Sequence, residues 1–176
     1  MGEKLDINGA SLEWLGQSCF KIKSDRVIYI DPFKIPENSE KADLIFITHE
    51  HYDHCSIEDV NKIKKESTII IAPQKCLTKL GIEGKTVVPH QKLEVEGIKI
   101  ETTYAYNVDK EYHMKTTNNV GYVIEINGKR IYHAGDTDLI PEMNALDDIY
   151  VALLPIGGTY TMDATEAAQA ANIIMP

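Results

Sequence analysis

The apolar positions of this chain fall into short runs of the length typical of β-strands. Some runs are continuous and others alternate with polar residues, as expected for strands buried on both faces or on one. The runs that predict strands lie at 10–23, 26–31, 43–47, 68–71, 86–104, 119–134 and 148–154. The first run turns at Gly16-Gln17 and is predicted to be a hairpin. Asn127-Gly128 is the strongest hairpin signal in the chain.

Three segments predict helices: 56–65, 74–80 and the segment after residue 163. Ser56 and Asp59 have capping-box spacing ahead of apolar residues, so a helix should begin there. Asp163 and Glu166 have the same spacing ahead of an amphipathic pattern. The stretch 105–118 shows no periodicity and is expected to be a loop.

A weak internal repeat links the two halves of the chain. The segments 26–31 and 130–136 are both strand-like and end in an aspartate, and each is followed by a second apolar run, 42–47 and 148–153. Two similar β-rich halves with helices outside them predict an α+β fold, a four-layer αββα sandwich. Loops from one edge of both sheets would then carry the site.

Length and composition predict a single domain over residues 1–176. The 18 basic and 27 acidic residues give a net charge of −9, which disfavours nucleic acid as a partner. No apolar run approaches the roughly 18 residues of a membrane span, and the N-terminal residues lack the features of a signal peptide. Three cysteines without a CxxC pair favour a reducing compartment. We therefore expect a cytoplasmic protein without a membrane partner.

The chain's chemistry is concentrated between the strand 43–47 and the helix that begins near Ser56. Here His49, His51 and His54 crowd together with Asp53. On extended backbone, positions 49, 51 and 53 would project to one side, and His54 would point elsewhere, toward a second metal. Imidazole and carboxylate are ligands for zinc, iron or manganese. The alternative is a polar turn with solvated histidines, but it gives no reason for three imidazoles to cluster.

The His-x-His-x-Asp-His pattern after an apolar strand resembles the first metal motif of the metallo-β-lactamase fold superfamily. The segments 14–20, 29–33, 132–137 and 154–162 resemble the branch that contains ascorbate-6-phosphate lactonase-like proteins and metal-dependent hydrolases. This resemblance covers about residues 10 to 170. It implies the same four-layer sandwich and a dinuclear site with two divalent metal ions, zinc first and manganese or iron as alternatives.

The resemblance also assigns ligands: His49 and His51 to the first metal, Asp53 and His54 to the second, and Asp136 as a bridge between them. Asp136 follows Gly135 at the end of an apolar strand, a position where a carboxylate can face a site but also where turn residues occur. Many relatives carry a further ligand histidine where this chain has Asn107. We expect His113, in the same loop, to take its place; the alternative is an exposed loop histidine.

Five residues are expected to surround the ligands: Asp31, Gln17, His133, Tyr160 and Met162. By resemblance, Asp31 lies behind the segment 48–54 that carries His49, His51 and His54 (the histidine loop) as a hydrogen-bonding partner, and Tyr160 and Met162 line the pocket. Close relatives have histidine at position 17, so Gln17 is either a turn residue or a hydrogen-bond donor in the site that cannot shuttle protons. His133 either orients a ligand or is an ordinary buried histidine.

The C-terminal part of the fold is expected to be incomplete. The sequence stops at Pro176, directly after the last predicted helix, whereas relatives place a ligand histidine on a further strand. Without that histidine the second metal would lack a ligand.

Taken together, the pattern and the resemblance imply a metal-dependent hydrolase that uses a metal-bound hydroxide. The expected substrate is an ester, lactone or phosphoester of a small anionic metabolite, with Asp53 orienting the nucleophile or accepting its proton. A second hypothesis is a degenerate, non-catalytic metal-binding module, which Gln17 and Asn107 favour. A third, a phosphodiesterase or nuclease, is weakened by the net charge.

Overall fold

The computed structural model describes residues 4–176, and its chain divides into two compact units with the boundary between Val87 and Val88. Each unit has its own mixed β-sheet and its own buried core. The α+β class is therefore confirmed. That residues 1–176 form one domain stays a prediction. Among residues 4–176 no helix combines the length and apolar character needed to cross a membrane.

The first unit is organised around a seven-stranded sheet. In spatial order, its strands are β1 (Lys4–Ile7), β2 (Ala10–Gly16), β3 (Cys19–Lys23), β4 (Val27–Ile30), β5 (Leu44–Phe46), β6 (Ile69–Ala72) and β7 (Lys85–Thr86). Strands β1 to β4 pair antiparallel, whereas β4 to β7 pair parallel. The helices α1 (Ile57–Ile63) and α2 (Gln74–Leu80) connect β5 to β6 and β6 to β7. The carboxyl ends of β4 and β5 consequently meet at one edge of the sheet.

Burial explains why β4 and β5 are continuous apolar runs. Every residue of both strands is buried, as is typical of parallel strands with both faces covered. On one face, Val27, Tyr29 and Ile45 pack in a core with residues of α1 and α2, including Val60 and Leu77. A rigid pair of strands thus holds the loops that follow Ile30 and Phe46.

The second unit has a five-stranded sheet in the order β12-β11-β10-β9-β8. Its elements are β8 (Lys92–Val95), β9 (Ile98–Tyr104), β10 (Val120–Ile126), β11 (Lys129–His133), β12 (Ile149–Leu153) and α3 (Ala164–Ile174), with 3-10 turns at Lys115–Thr117 and Pro141–Ala145. Only β11 and β12 pair in parallel among these strands. This matches the internal repeat, since β4 and β11 each precede an aspartate-bearing loop and each pair in parallel with the next strand.

The local signals for turns and helix starts are confirmed. Asn127 and Gly128 have φ values of 50° and 75°, as a type I′ hairpin turn requires. The Ser56 side chain accepts a hydrogen bond from the Asp59 amide at the start of α1. The reciprocal capping box at the start of α3 is also present. The first helix ends at Ile63, two residues earlier than expected.

Candidate metal centre

The histidine loop lies between β5 and α1 in the first unit. Its imidazoles are close together: the ring centroids of His49 and His51 are 4.6 Å apart, and those of His49 and His54 are 4.1 Å apart. An extended backbone was expected here, but the loop instead forms a turn, which the amide of His54 closes by donating to the carbonyl of His51. That turn brings His54 back beside His49 instead of pointing it away. His49 and His54 are buried, whereas His51 is exposed.

Asp31 lies directly behind this loop. Its Oδ1 accepts from the backbone N–H of Thr48 at 2.8 Å, and its Oδ2 accepts from the Thr48 hydroxyl at 2.7 Å. Nδ1 of His54 is also 2.7 Å from Oδ2. The residue directly follows β4, is completely buried and has a φ of 45°. Asp31 thus contacts both the backbone of the histidine loop and one of its rings.

These contacts determine which nitrogen of each neutral ring carries its proton. A carboxylate can only accept, so Nδ1 of His54 must donate to Asp31. The Thr48 hydroxyl gives its hydrogen to Asp31, so it must accept from Nδ1 of His49, which is 3.0 Å away. In both neutral rings the lone pair is then on Nε2, as in metal-binding histidines whose other nitrogen is hydrogen-bonded.

Asp53 and Gln17 meet beside His54. Oδ2 of Asp53 is 3.8 Å from Nε2 of His54 and accepts a 2.9 Å hydrogen bond from the Gln17 amide. Gln17 has a φ of 51° in the turn between β2 and β3, and its carbonyl accepts from the Trp14 indole at 2.7 Å. The two interpretations of Gln17 therefore coexist, since the residue forms the turn and also contacts a predicted ligand.

The second unit brings His113 and Asp136 together. Nε2 of His113 is 3.5 Å from Oδ2 of Asp136, and His113 is buried instead of exposed. Asp136 follows β11 through Gly135, whose φ is 66°. The Gly135 amide donates to Nδ1 of His133 at 3.2 Å. His133 consequently supports the turn that carries Asp136.

The hydrogen-bond network that holds His113 is not predicted by the sequence. The Asn107 side-chain oxygen lies 3.0 Å from both the backbone nitrogen and Nδ1 of His113. Its amide nitrogen donates to Asp138, a buried carboxylate that Lys110 also contacts. The only hint in the sequence was the spacing Asp136-Thr-Asp138, which places a second carboxylate two residues beyond the expected ligand.

The two predicted pocket residues differ in exposure. Tyr160 is 54% exposed, and its ring packs edge to face against Tyr112 with centroids 4.6 Å apart. Met162 is completely buried in the core of the second unit. That either residue lines a substrate pocket stays a prediction.

The cysteines are core residues. Burial raises the pKa of the Cys19 thiol to about 12, so it is protonated at neutral pH. Cys55, next to His54 in sequence, is buried, and its thiol points to the carbonyl of Cys76 at 3.8 Å. The side chains of Cys55 and Cys76 pack in the core of the first unit. None of the three is exposed as a nucleophile.

The donor atoms of each unit fit a divalent metal ion. Two ligands held about 2.0 to 2.1 Å from a tetrahedral ion lie roughly 3.3 Å apart. The ligand-type atoms of His113 and Asp136 are 3.5 Å apart, and those of His54 and Asp53 are 3.8 Å apart. Imidazole nitrogen and carboxylate oxygen are also the donors that zinc, iron and manganese accept. The residues present therefore suit a metal in chemistry and in spacing.

Comparison with known proteins places the chain in a family. The family described as Beta-lactamase superfamily domain matches residues 11–176. A UPF0173 metal-dependent hydrolase of Thermoplasma acidophilum is 36% identical over 177 residues, which cover 93% of this chain and 78% of the relative. One of Thermococcus onnurineus is 37% identical over 182 residues, covering 94% and 80%.

A solved structure from Parabacteroides distasonis, assigned by its name to the metal-dependent hydrolases, has a TM-score of 0.91 and 32% identity. The superposition covers 98% of this chain and 83% of that one. The sequence motifs, the α+β fold and these similarities agree, and the chain belongs to the β-lactamase superfamily, together with relatives named UPF0173 metal-dependent hydrolases.

Proposed function

We propose that this protein is a metal-dependent hydrolase acting on an ester, lactone or phosphoester of a small anionic metabolite. Its proposed metal ligands are His49, His51, Asp53, His54, His113 and Asp136, with Asp136 keeping the bridging role that the family resemblance implies. Two divalent ions are proposed, zinc first. The names of the relatives support the reaction class but do not specify the substrate.

The observation that carries the proposal is the hydrogen bonding behind the histidine loop. Asp31 and Thr48 occupy Nδ1 of His54 and His49, which leaves the lone pairs of both neutral rings on Nε2. Here the same tautomer of both rings depends on a buried carboxylate, Asp31, and burying a charge is costly unless its partners compensate. A purely structural turn would have no need for this arrangement.

Divalent ions at such a site, when bound, lower the pKa of water to about 7 and polarise the bond under attack. The chain's own contribution is to position groups. Gln17 donates to Oδ2 of Asp53 and holds that carboxylate in place. Asp53 would then orient the attacking water or accept its proton at a carboxylate oxygen. Gln17 cannot itself take up a proton at neutral pH.

The first experiment is metal analysis of the purified chain and of a His51→Ala, Asp136→Ala double variant. We expect about two divalent ions per wild-type chain and their loss from the variant. His90→Asn is the matched control, because His90 lies outside the proposed site and its φ of 63° suits asparagine. Its metal content should equal that of wild type.

Metal binding without any hydrolysis of activated esters, lactones or phosphoesters would instead favour the non-catalytic module. Wild type that binds no divalent ion would overturn the proposal altogether. Strong, salt-sensitive retention on a polyanion column would redirect the search toward nucleic acid substrates.

We also propose that the protein works in the cytosol. Its three cysteines are buried free thiols, as is usual in a reducing compartment.

A further inference from the structure

A second hydrogen-bond network, in the loop between β9 and β10, is not used by the proposed chemistry. It centres on Asn107, which is 6% exposed and uses both ends of its side-chain amide. The Asn107 side-chain nitrogen donates to Oδ1 of Asp138 at 3.0 Å and to the carbonyl of Tyr160 at 2.8 Å. Both partners can only accept, so the orientation of the amide is fixed.

The fixed amide determines the protonation of His113. The oxygen of Asn107 faces the backbone N–H of His113 and Nδ1 of its ring, each at 3.0 Å. Because that oxygen has no hydrogen to give, Nδ1 must carry the proton. In the neutral ring the lone pair then lies on Nε2, the atom 3.5 Å from Asp136.

We propose that Asn107 is a positioning residue that locks His113 as the Nδ1–H tautomer and so presents Nε2 as a metal ligand. This inference rests on the proposed function for the role of His113. It gives Asn107 a use at the position where relatives were expected to carry a ligand histidine. The side chain does not replace that ligand but orients the one that follows six residues later.

The network continues beyond Asn107. Asp138 is 5% exposed and accepts from the amide of Val108 at 2.9 Å and from Lys110. Lys110 also donates to the carbonyl of Thr161 at 3.1 Å. Asp138 thereby ties the first half of the loop to the segment after β11, and it prevents the Asn107 amide from rotating.

The other half of the loop has a separate anchor. The ammonium of Lys115 lies 4.5 and 4.7 Å from the ring centroids of Tyr104 and Tyr106 and bonds to Glu142. Tyr106 also donates to Glu142 at 3.0 Å. Asn107 and His113 therefore lie in a loop that is held from both sides, as an orienting contact requires.

The test reads the tautomer directly in metal-free protein, by long-range ¹H–¹⁵N NMR of protein labelled with ¹⁵N-histidine. His113→Gln assigns the signal. Wild type should show a protonated Nδ1 and an unprotonated Nε2. Asn107→Ala should show a tautomer mixture and bind zinc about 10- to 100-fold more weakly. Asn144→Ala, at an exposed asparagine, is the control and should change neither result.

An exchange variant, Asn107→Asp with Asp138→Asn, tests rescue. It keeps an acceptor beside His113 and a hydrogen bond between positions 107 and 138, while it gives up the bond from position 107 to the Tyr160 carbonyl, so it should restore most of the Nδ1–H signal that Asn107→Ala loses. The inference is overturned if Asn107→Ala keeps wild-type tautomer and affinity, or if a folded exchange variant loses the Nδ1 proton. Wild type that binds no zinc but has the predicted tautomer would contradict the proposed function alone.

Discussion

At the scale of single residues, both units contain the same hydrogen-bonding arrangement. A buried carboxylate, which can only accept, fixes the orientation of a neighbouring hydroxyl or amide group that could otherwise donate or accept toward a histidine ring. Asp31 fixes the Thr48 hydroxyl and through it His49, while Asp138 fixes the Asn107 amide and through it His113. In each case one charge determines the tautomer of a ring that it does not touch.

Substituting Asp31 by asparagine tests this arrangement. Asparagine tolerates the φ of 45°, so the substitution removes the carboxylate charge without straining the backbone. The NH₂ group of asparagine would replace one acceptor oxygen of Asp31 and would face hydrogen-bond donors. We therefore expect a loss of about 1 to 3 kcal/mol of unfolding free energy. The affinity for zinc should fall about 10- to 100-fold. Urea denaturation and titration against a chromophoric chelator measure the two effects.

Asp25→Asn, at an exposed position of the same unit, is the control for the loss of one negative charge. It should leave both quantities near their wild-type values. A folded Asp31→Asn protein with unchanged zinc affinity would show that Asp31 is structural only.

At the scale of elements, helix α1 secures the chain that leaves the histidine loop. Asp59, in its first turn, is buried and accepts from the backbone amides of Lys34 and Ile35 at 3.0 and 2.8 Å. It also accepts from Ser56, the N-cap. The helix start is therefore joined to the loop that follows β4, next to Asp31.

This arrangement predicts an acid-sensitive contribution to stability. Burial opposes ionisation of Asp59, but the hydrogen bonds from Ser56, Ile35, Lys62 and Lys34 outweigh it and lower the pKa of its carboxyl. Because the pKa of Asp59 is lower in the folded chain, its carboxylate contributes fully to the unfolding free energy above the pKa of an unfolded aspartate, about 4. This contribution is lost as the pH falls through the lower pKa that Asp59 has in the folded chain.

Asp59→Asn should therefore destabilise the protein by about 1 to 3 kcal/mol at pH 7, because the charged acceptor is lost. The difference from wild type should shrink below about pH 4. Urea denaturation at pH 7, 5 and 3.5 measures it. A difference that stays constant over this range would mean that the charge on Asp59 does not contribute.

A second prediction at this scale concerns the packing of Gly121 in strand β10. A Cβ built there would lie 2.5 Å from the Thr103 hydroxyl and 2.9 Å from the carbonyl of His133. Gly121→Ala must therefore displace β11 near the turn to Asp136, and we expect a loss of about 1 to 3 kcal/mol. Thermal denaturation measures it against Gly128→Asn, where the φ of 75° suits asparagine and an added Cβ would meet no atom beyond its chain neighbours within 4 Å. Equal stabilities of the two variants would contradict the prediction.

The same scale explains what the sequence could predict. Hairpin turns such as Asn127-Gly128 and helix caps such as Ser56 depend on neighbouring residues alone, so the structure confirms their predicted positions. The predicted direction of the His54 side chain was wrong, because it depends on a turn that the His51 carbonyl closes. The hydrophobic periodicity of the sequence does not indicate such a turn. The contact between Asn107 and Asp138 joins positions 31 residues apart, and only the folded loop brings them together.

At the scale of the whole molecule, the question is whether the chain unfolds as one domain. The only tryptophan, Trp14, lies in the first unit, so its fluorescence reports on that unit, whereas far-UV circular dichroism reports on both sheets. If residues 1–176 form a single domain, the two probes should give coincident urea transitions. Separate transitions would assign the two units independent stabilities.

Metal binding should raise the stability of this whole molecule by mass action, since the proposed ligands are brought together only in the folded chain. Zinc at about 100 times its dissociation constant should add about 2.7 kcal/mol to the unfolding free energy of wild type, and chelator should remove it. In His51→Ala the gain at the same zinc concentration should be greatly reduced, because the substitution removes a proposed ligand. His51 is exposed, so its truncation opens no cavity in the core. A zinc-dependent gain of the same size in both proteins would place the bound ion elsewhere and contradict the ligand assignment.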